Sequence, residues 1–123
     1  MTTLYIIRHA EAEGNLYRRI HGWYNSLITE QGYRQIAALA QRFRDVPIDA
    51  VYSSDLFRTM TTAQAIYPSH HLELHTRSDL REISMGVWED RTWGEAAHFD
   101  AQNYARYSGC DPNWKNQGGE ARQ

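Results

Sequence analysis

Short apolar runs alternate with amphipathic helical stretches along this chain, and that alternation limits the folds it can adopt. The continuous apolar run at residues 4–7 is typical of a strand buried on both faces. Thr29 is a good helix N-cap, and apolar residues recur behind it at helical spacing. The predicted order is strand, helix, strand, helix, strand, helix, over residues 4–7, 30–44, 48–52, 56–67, 72–75 and 92–107. This order predicts an α/β fold with a mostly parallel sheet.

Composition excludes several classes of protein. The net charge of −2 leaves no broad basic field for nucleic acid or an anionic membrane surface. Among the 13 basic residues only Lys115 is a lysine. Arginine forks suit carboxylates and phosphates, although the base composition of the genome explains this bias equally well. Cys110 is the one cysteine, which rules out an internal disulfide or a cysteine metal cage. Without a recognisable signal peptide or apolar span, we expect a cytoplasmic protein.

Polar residues cluster where the first two predicted strands end. Arg8 and His9 follow the first strand, and Ser53, Ser54 and Asp55 follow the second, with Arg58 in the next helical turn. Ligands of open α/β sheets bind beyond the carboxyl ends of the strands, so Arg8 and Arg58 can converge there. Two guanidinium groups beside a helix N-terminus predict a phosphate site.

His9 lies in the middle of this predicted site. Nearby positive charge disfavours the imidazolium, and a neutral imidazole has a lone pair that can attack phosphorus. The alternative for an isolated Arg-His pair is a histidine at a loop edge with ordinary hydrogen bonds. The polar segment at residues 10–28 is predicted to be a long loop, and long ordered loops are usually functional. Trp23 and Tyr24 in this loop are candidates for a substrate rim.

Three sequence blocks carry a family resemblance. They are "RHAEAEGNLYRRIHGWYNSLITEQG", "DAVYSSDLFRTMTTAQAI" and "LREISMGVWED", in this order. Together they resemble the histidine phosphatase superfamily, also called the phosphoglycerate mutase-like family, over residues 4–120. The resemblance implies a three-layer α/β/α sandwich with a mostly parallel sheet. It also implies that residues 1–123 form one domain, the N-terminal portion of the family fold.

The resemblance assigns roles residue by residue. His9 matches the nucleophile that becomes phosphohistidine, and Glu82 matches the proton donor. The phosphate- or substrate-binding positions are Arg8, Asn15, His21, Gly22 and Arg58. Phosphoryl transfer mainly needs positioning and charge neutralisation, which arginines can supply without a metal or cofactor. For Glu82, the alternative is a surface carboxylate paired with Arg77 or Arg81.

One expected part of the family pattern is not found in this sequence. The family has a second catalytic histidine on a later strand, after a segment similar to "GGES". Here "GGEAR" stands at residues 118–122, and the sequence given stops at Gln123. We therefore expect a C-terminally truncated version of the fold, with exposed apolar surface beside the first strand.

These observations predict a metal-independent phosphomonoester hydrolase that acts through phosphohistidine. Its expected partner is a small phosphorylated metabolite, and we expect it to bind neither nucleic acid nor a membrane. The sequence leaves open whether the protein forms a homodimer. The "LREISMGVWED" block looks more like the phosphatase branch than the mutase branch. The alternatives are a phosphoglycerate mutase and a catalytically impaired, phosphate-binding fragment of the same fold.

Overall fold

The computed structural model describes residues 1–111 and 114–120. Its helices and strands are α1 (Glu13–Leu16), α2 (Glu30–Phe43), β1 (Val51–Ser53), α3 (Phe57–Ala63), β2 (Leu74–Thr76), α4 (Trp93–Phe99) and α5 (Ala101–Ser108), with 3₁₀ turns at Ser78–Leu80 and Gly86–Trp88. Within the described residues, no helix combines the length and the apolarity needed to cross a bilayer.

β1 and β2 form a parallel pair. Val51 is opposite Leu74 and Ser53 is opposite Thr76, and the amide of Arg77 extends the pairing by donating to the Ser53 carbonyl at 2.9 Å. Parallel neighbours require a crossover connection, which α3 and the turns after it provide. The predicted α/β class is therefore confirmed, although the strands lie slightly later than predicted.

α2 forms where the sequence predicts it. The Thr29 hydroxyl accepts a hydrogen bond from the amide of Gly32 at 3.0 Å, which caps the first turn. The apolar side of the helix ends in Phe43, which packs against Ala65 and Ile66 after α3. Val51 of β1 contacts the same cluster. This packing fixes β1 and α3, and so the residues at the end of β1.

The predicted first strand is wrong for this structure. Residues 4–7 belong to no strand, and Leu4 and Ile6 are 79% and 89% exposed. A strand needs a neighbour that accepts and donates ladder hydrogen bonds, and within the described residues β1 pairs with β2 alone. Tyr5 still packs edge-on against Phe43, with 5.3 Å between ring centroids. The expected exposed apolar surface is therefore present at this segment.

Other differences are local. The predicted loop at residues 10–28 contains α1 and a bridge between Ala12 and Ile28. α3 ends at Ala63 rather than at residue 67, because the next amides donate to carbonyls three residues back. The predicted helix at residues 92–107 divides at Asp100, whose φ of −134° and ψ of 49° are not helical.

A second core holds the segment that precedes α4. Trp88 and Trp114 are fully buried, with ring centroids 5.3 Å apart. The Trp88 indole donates to Asp100 at 3.0 Å, and the Asn116 amide donates to the Met85 carbonyl at 2.7 Å. A buried indole needs a hydrogen-bond acceptor, which Asp100 provides for Trp88. The two hydrogen bonds together connect residues 84–89 to the start of α5 and to residues 114–120.

The described part of the "GGEAR" segment docks on the same region. The amide of Glu120 donates to the Ser84 carbonyl at 3.0 Å, and the Glu120 carboxylate accepts from the Ser84 amide at 2.9 Å. Residues 121–122 of the segment lie outside the described residues. The reciprocal pair holds the chain just after Glu82.

Candidate active site

His9 is half-buried and has a defined tautomer. Its Nδ1 lies 2.8 Å from the Ala10 carbonyl oxygen, which can only accept, so the proton belongs on Nδ1. In the neutral ring the lone pair then lies on Nε2. Burial lowers the pKa of His9, and the charges of Arg58 and Arg8 lower it further, against the raising effects of the Ala10 carbonyl and Glu82. The ring is therefore suited to act as a neutral nucleophile.

α3 holds the backbone of this segment in place. The Ala10 amide donates to the Thr62 hydroxyl at 2.8 Å, and that hydroxyl donates to the Arg58 carbonyl at 2.7 Å. Thr62 thus connects the residue after His9 to the first turn of α3, which contains Arg58. The predicted convergence of these two segments is present even though residues 4–7 form no strand.

Arg58 is buried, with 2% of its surface exposed. Its guanidinium donates to the carbonyl of Gly22 at 2.7 Å and to that of Tyr24 at 2.9 Å. Burial lowers the pKa of Arg58, and the charges of Glu82 and Glu89 raise it. Within the described residues its Nε–H has no hydrogen-bond partner. A buried cationic donor without a partner suits an anionic oxygen atom.

His21 stands beside His9. The two ring centroids are 5.7 Å apart, and both nitrogens of His21 are buried without a partner in the described part of the chain. Burial lowers the pKa of His21 to about 4, with further lowering by Arg58, His9 and Arg8. The ring is therefore neutral at physiological pH, and its unpaired N–H can donate to a phosphoryl oxygen.

Glu82 is exposed and lies in the electrostatic field of the same site. Burial lowers the pKa of both His9 and Arg58, and the charge of Glu82 raises the pKa of both. Pairing with Arg77 or Arg81 is not observed, because Arg77 binds Asp79 and Arg81 binds Asp55. The Glu82 carboxylate accepts from the neighbouring amide of Ile83 at 3.2 Å.

The other predicted binding residues differ in how they are placed. Arg8 is exposed, and its charge acts on both His9 and His21. Gly22 is buried with a φ of +49°, and its carbonyl is held by Arg58. Asn15 uses its side-chain oxygen to accept from the Ala12 amide at 3.0 Å, which caps α1. Phosphate binding by Gly22 and Asn15 stays a prediction.

Two residues that the sequence did not single out shape the site. A Cβ on Gly14 would lie 2.3 Å from Nε2 of His21, so only glycine admits the ring there. Glu89 accepts from the Met85 amide at 2.9 Å and from the Ser84 hydroxyl at 3.2 Å. Glu89 belongs to the third block that carries the family resemblance. Its place in this block is the sequence feature that could have identified it as a site residue.

An open cavity of about 210 Å³ includes Arg8, His9 and Thr62 in its lining. A larger cavity of about 370 Å³ is lined by Glu13, Tyr17 and Asp90, among others, and does not reach His9. The smaller cavity borders the His9 ring and a cationic side chain, whereas Arg58, His21 and Glu82 do not line it.

Comparison with known families agrees with this geometry. Residues 4–123 match the family model described as "Histidine phosphatase superfamily (branch 1)". This chain belongs to the histidine phosphatase superfamily. The predicted resemblance is thus confirmed. The first motif block lies on the loop with α1, the second on β1 and α3, and the third on the turns before α4.

Relatives within the superfamily have different names. The "Probable phosphoglycerate mutase GpmB" of Proteus mirabilis is 41% identical over 105 residues, which cover 85% of this chain and 47% of the relative. The alpha-ribazole phosphatase from Shigella flexneri superposes with a TM-score of 0.86 at 29% identity, over 94% of this chain and 57% of that one.

A mycobacterial glucosyl-3-phosphoglycerate phosphatase, solved in complex with VO3, superposes with a TM-score of 0.82 at 26% identity, over 92% of this chain and 54% of that one. The superfamily member described here spans about half the length of the curated relatives it matches. The comparisons therefore give the family and the fold, and the specific activity is a matter for proposal.

Proposed function

We propose that this protein hydrolyses small phosphomonoesters through a phosphohistidine on His9, without a metal. One observation carries the proposal. The His9 ring is held by the Ala10 carbonyl with its lone pair on Nε2, within the field of two arginines. Such an arrangement attracts a phosphate dianion and leaves the nucleophile unprotonated.

The chemistry follows from the residues around His9. Nε2 attacks phosphorus, and the ester bond to the leaving oxygen breaks as the nitrogen–phosphorus bond forms. Arg8, Arg58 and the neutral His21 stabilise the transferring phosphoryl oxygens by charge and hydrogen bonds. Glu82 gives its proton to the leaving oxygen. In the second step the Glu82 carboxylate takes a proton from water, and the water oxygen attacks phosphorus. The nitrogen–phosphorus bond breaks, its electron pair returns to Nε2 of His9, and inorganic phosphate leaves.

A phosphoglycerate mutase is the second candidate. What favours it is the 41% identity to a relative named "Probable phosphoglycerate mutase GpmB". Both functions share the first step and differ in whether water or a second phosphoglycerate oxygen receives the phosphoryl group. The solved relatives named as phosphatases favour water.

The third candidate is a catalytically impaired protein that binds phosphate on the same fold. It is kept because the chain spans about half the length of its curated relatives. It would bind phosphate or vanadate at Arg58 and His21 and would not turn over.

The test is turnover of a simple aryl phosphate by the purified chain with a chelator present, together with phosphohistidine detection by intact mass. We expect hydrolysis, a gain of one phosphoryl group, and loss of both in His9→Ala. His98→Ala changes an exposed histidine on α4 and should change neither. Unchanged turnover in His9→Ala overturns the mechanism. Interconversion of phosphoglycerates after priming would support the mutase, and vanadate binding without turnover would support the impaired protein.

A further inference from the structure

The Trp23 side chain binds the backbone of Glu82, and the side chains of Arg81 and Asp55 are linked to it. We call Trp23, Arg81 and Asp55 the Arg81 cluster. The Trp23 indole N–H donates to the backbone carbonyl of Glu82 at 2.8 Å. The Arg81 guanidinium lies over the Trp23 ring, 4.9 Å from its centroid. The same guanidinium forks onto Asp55, through Nε at 2.5 Å and Nη2 at 2.7 Å.

The Arg81 cluster is more sheltered than an ordinary surface ion pair. The side chains of Arg81 and Asp55 are 28% and 34% exposed, whereas those of the nearby Arg77–Asp79 pair are 60% and 63% exposed. Both pairs are forks of two hydrogen bonds, and the guanidinium of Arg81 is fixed further by the aromatic ring it stacks on. The hydrogen bonds from Arg81 lower the pKa of Asp55, so the pair is ionised at neutral pH.

Both attachment points of the cluster lead back to Arg58. Trp23 lies between Gly22 and Tyr24, the two residues whose carbonyls Arg58 holds. Asp55 precedes α3, whose first turn contains Arg58. The position of the Glu82 backbone is thus fixed relative to the Arg58 guanidinium, which belongs to the predicted phosphoryl site.

The carboxylate of Glu82 has little to orient it by itself. It is exposed, and it accepts a hydrogen bond from the adjacent Ile83 amide at 3.2 Å. Because this contact is local to the carboxylate's own segment, the direction of the side chain depends on where the backbone of that segment is held. Displacements of about 1 Å are enough to cost a proton donor much of its effect.

We propose that Trp23, Arg81 and Asp55 are positioning residues that place Glu82 to protonate the leaving oxygen. This inference rests on the proposed function and names the residues on which its acid step depends. It predicts a dependence on the leaving group. An alkoxide is strongly basic and needs a proton as it leaves, whereas a nitrophenolate leaves without one.

The experiment measures the rate of phosphohistidine formation on His9 in a single turnover, for an alkyl phosphate and for a nitrophenyl phosphate. Measuring this step alone excludes the later attack of water, in which Glu82 also takes part. The variants are Arg81→Gln, which removes the fork, and Trp23→Phe, which keeps the ring and removes the N–H donor. Arg77→Gln is the matched control, since it removes a more exposed ion pair from the same segment.

We expect Arg81→Gln and Trp23→Phe to slow phosphorylation by the alkyl phosphate about tenfold or more, and that by the nitrophenyl phosphate less than about threefold. Arg77→Gln should leave both rates unchanged. Equal losses with both substrates would overturn the inference, because they would indicate a structural or phosphate-binding role. Unchanged rates would overturn it as well. If Arg81→Gln unfolds, as judged by circular dichroism, the conservative Trp23→Phe decides.

Glu82→Gln and His9→Ala separate failure of this inference from failure of the proposed function. A selective alkyl loss in Glu82→Gln without one in Trp23→Phe and Arg81→Gln refutes positioning and leaves Glu82 as the acid. No selective loss in Glu82→Gln refutes the acid role, and with it the inference. Phosphorylation that persists in His9→Ala refutes the proposed function itself.

Discussion

The guanidinium of Arg58 donates a 2.7 Å hydrogen bond to the carbonyl oxygen of Gly22, and this contact joins α3 to the loop that carries His21. A second donor of the same group reaches the Tyr24 carbonyl at 2.9 Å. The third position, Nε, has no partner in the described part of the chain. One buried side chain therefore holds the loop and also offers a donor to a ligand.

Replacing Arg58 with lysine should lower the stability of the protein. An ammonium group cannot reproduce a planar fork toward two carbonyls and a third acceptor. We expect the free energy of unfolding to fall by about 1–3 kcal/mol, the range for a buried hydrogen bond left unmade. Urea denaturation measures this, with Arg34→Lys as the control because its pair with Glu30 is exposed. Equal changes in the two variants would contradict the role given to Arg58.

Gly22→Ala tests whether the loop needs glycine at its closest approach. A Cβ there would lie 2.5 Å from Oε2 of Glu89 and 2.8 Å from the Met85 amide nitrogen, at a φ of +49° that favours glycine. We expect a loss of about 1–3 kcal/mol in the free energy of unfolding from clash and backbone strain. Gly94→Ala is the control, because a Cβ there would lie 3.9 Å from Oγ1 of Thr92, which is an ordinary van der Waals distance. It should be neutral or slightly stabilising, and a similar loss in both variants would refute the steric argument.

Sequence patterns predict the parts of this structure that depend on local chemistry. The Thr29 cap and the apolar side of α2 are set within a few residues, and both are present as predicted. The approach of the His9 segment to Arg58 is also present, and it is made through Thr62 of α3, which binds the Ala10 amide and the Arg58 carbonyl. Residues 4–7 could not be predicted correctly from their own composition, because a strand exists only where a neighbour pairs with it.

Contacts between distant residues account for the rest. Arg81 binds Asp55 and not Glu82, and Trp23 donates to the Glu82 carbonyl across a sequence separation of 59 residues. Asn15 caps α1, a helix of one turn that has no periodicity to reveal it. Such pairings depend on where the loops fold, and residue type alone leaves several partners equally suitable.

Glu89 should stabilise the fold mainly as a hydrogen-bond acceptor. Its Oε2 accepts from the Met85 amide and the Ser84 hydroxyl, and both of those residues are buried. Glu89→Ala leaves these donors unpaired, so we expect a loss of about 1–3 kcal/mol in the free energy of unfolding. Glu89→Gln keeps an acceptor oxygen and should lose clearly less. Thermal denaturation of the two variants checks this order, and a loss in Glu89→Gln as large as in Glu89→Ala would indicate that charge dominates.

His21 should make the protein less stable in mild acid. Burial lowers its pKa from 6.5 to about 4, so between these values the unfolded chain binds a proton that the folded chain does not. The contribution of His21 to the free energy of unfolding is therefore complete above the pKa of the unfolded chain. It decreases as the pH falls toward the pKa of the folded protein. His9, whose pKa is also lowered, adds a change of the same sign.

We expect His21 to account for a loss of about 1 kcal/mol between about pH 7 and about pH 5, after allowance for the partial exposure of the residue. Urea denaturation over this pH range measures the slope. His21→Gln should reduce the slope and leave the part due to His9, whereas His98→Gln, on the exposed side of α4, should leave the slope as it is. A slope that is unchanged in His21→Gln would show that folding does not lower the pKa of this ring, and would contradict the burial effect assigned to it.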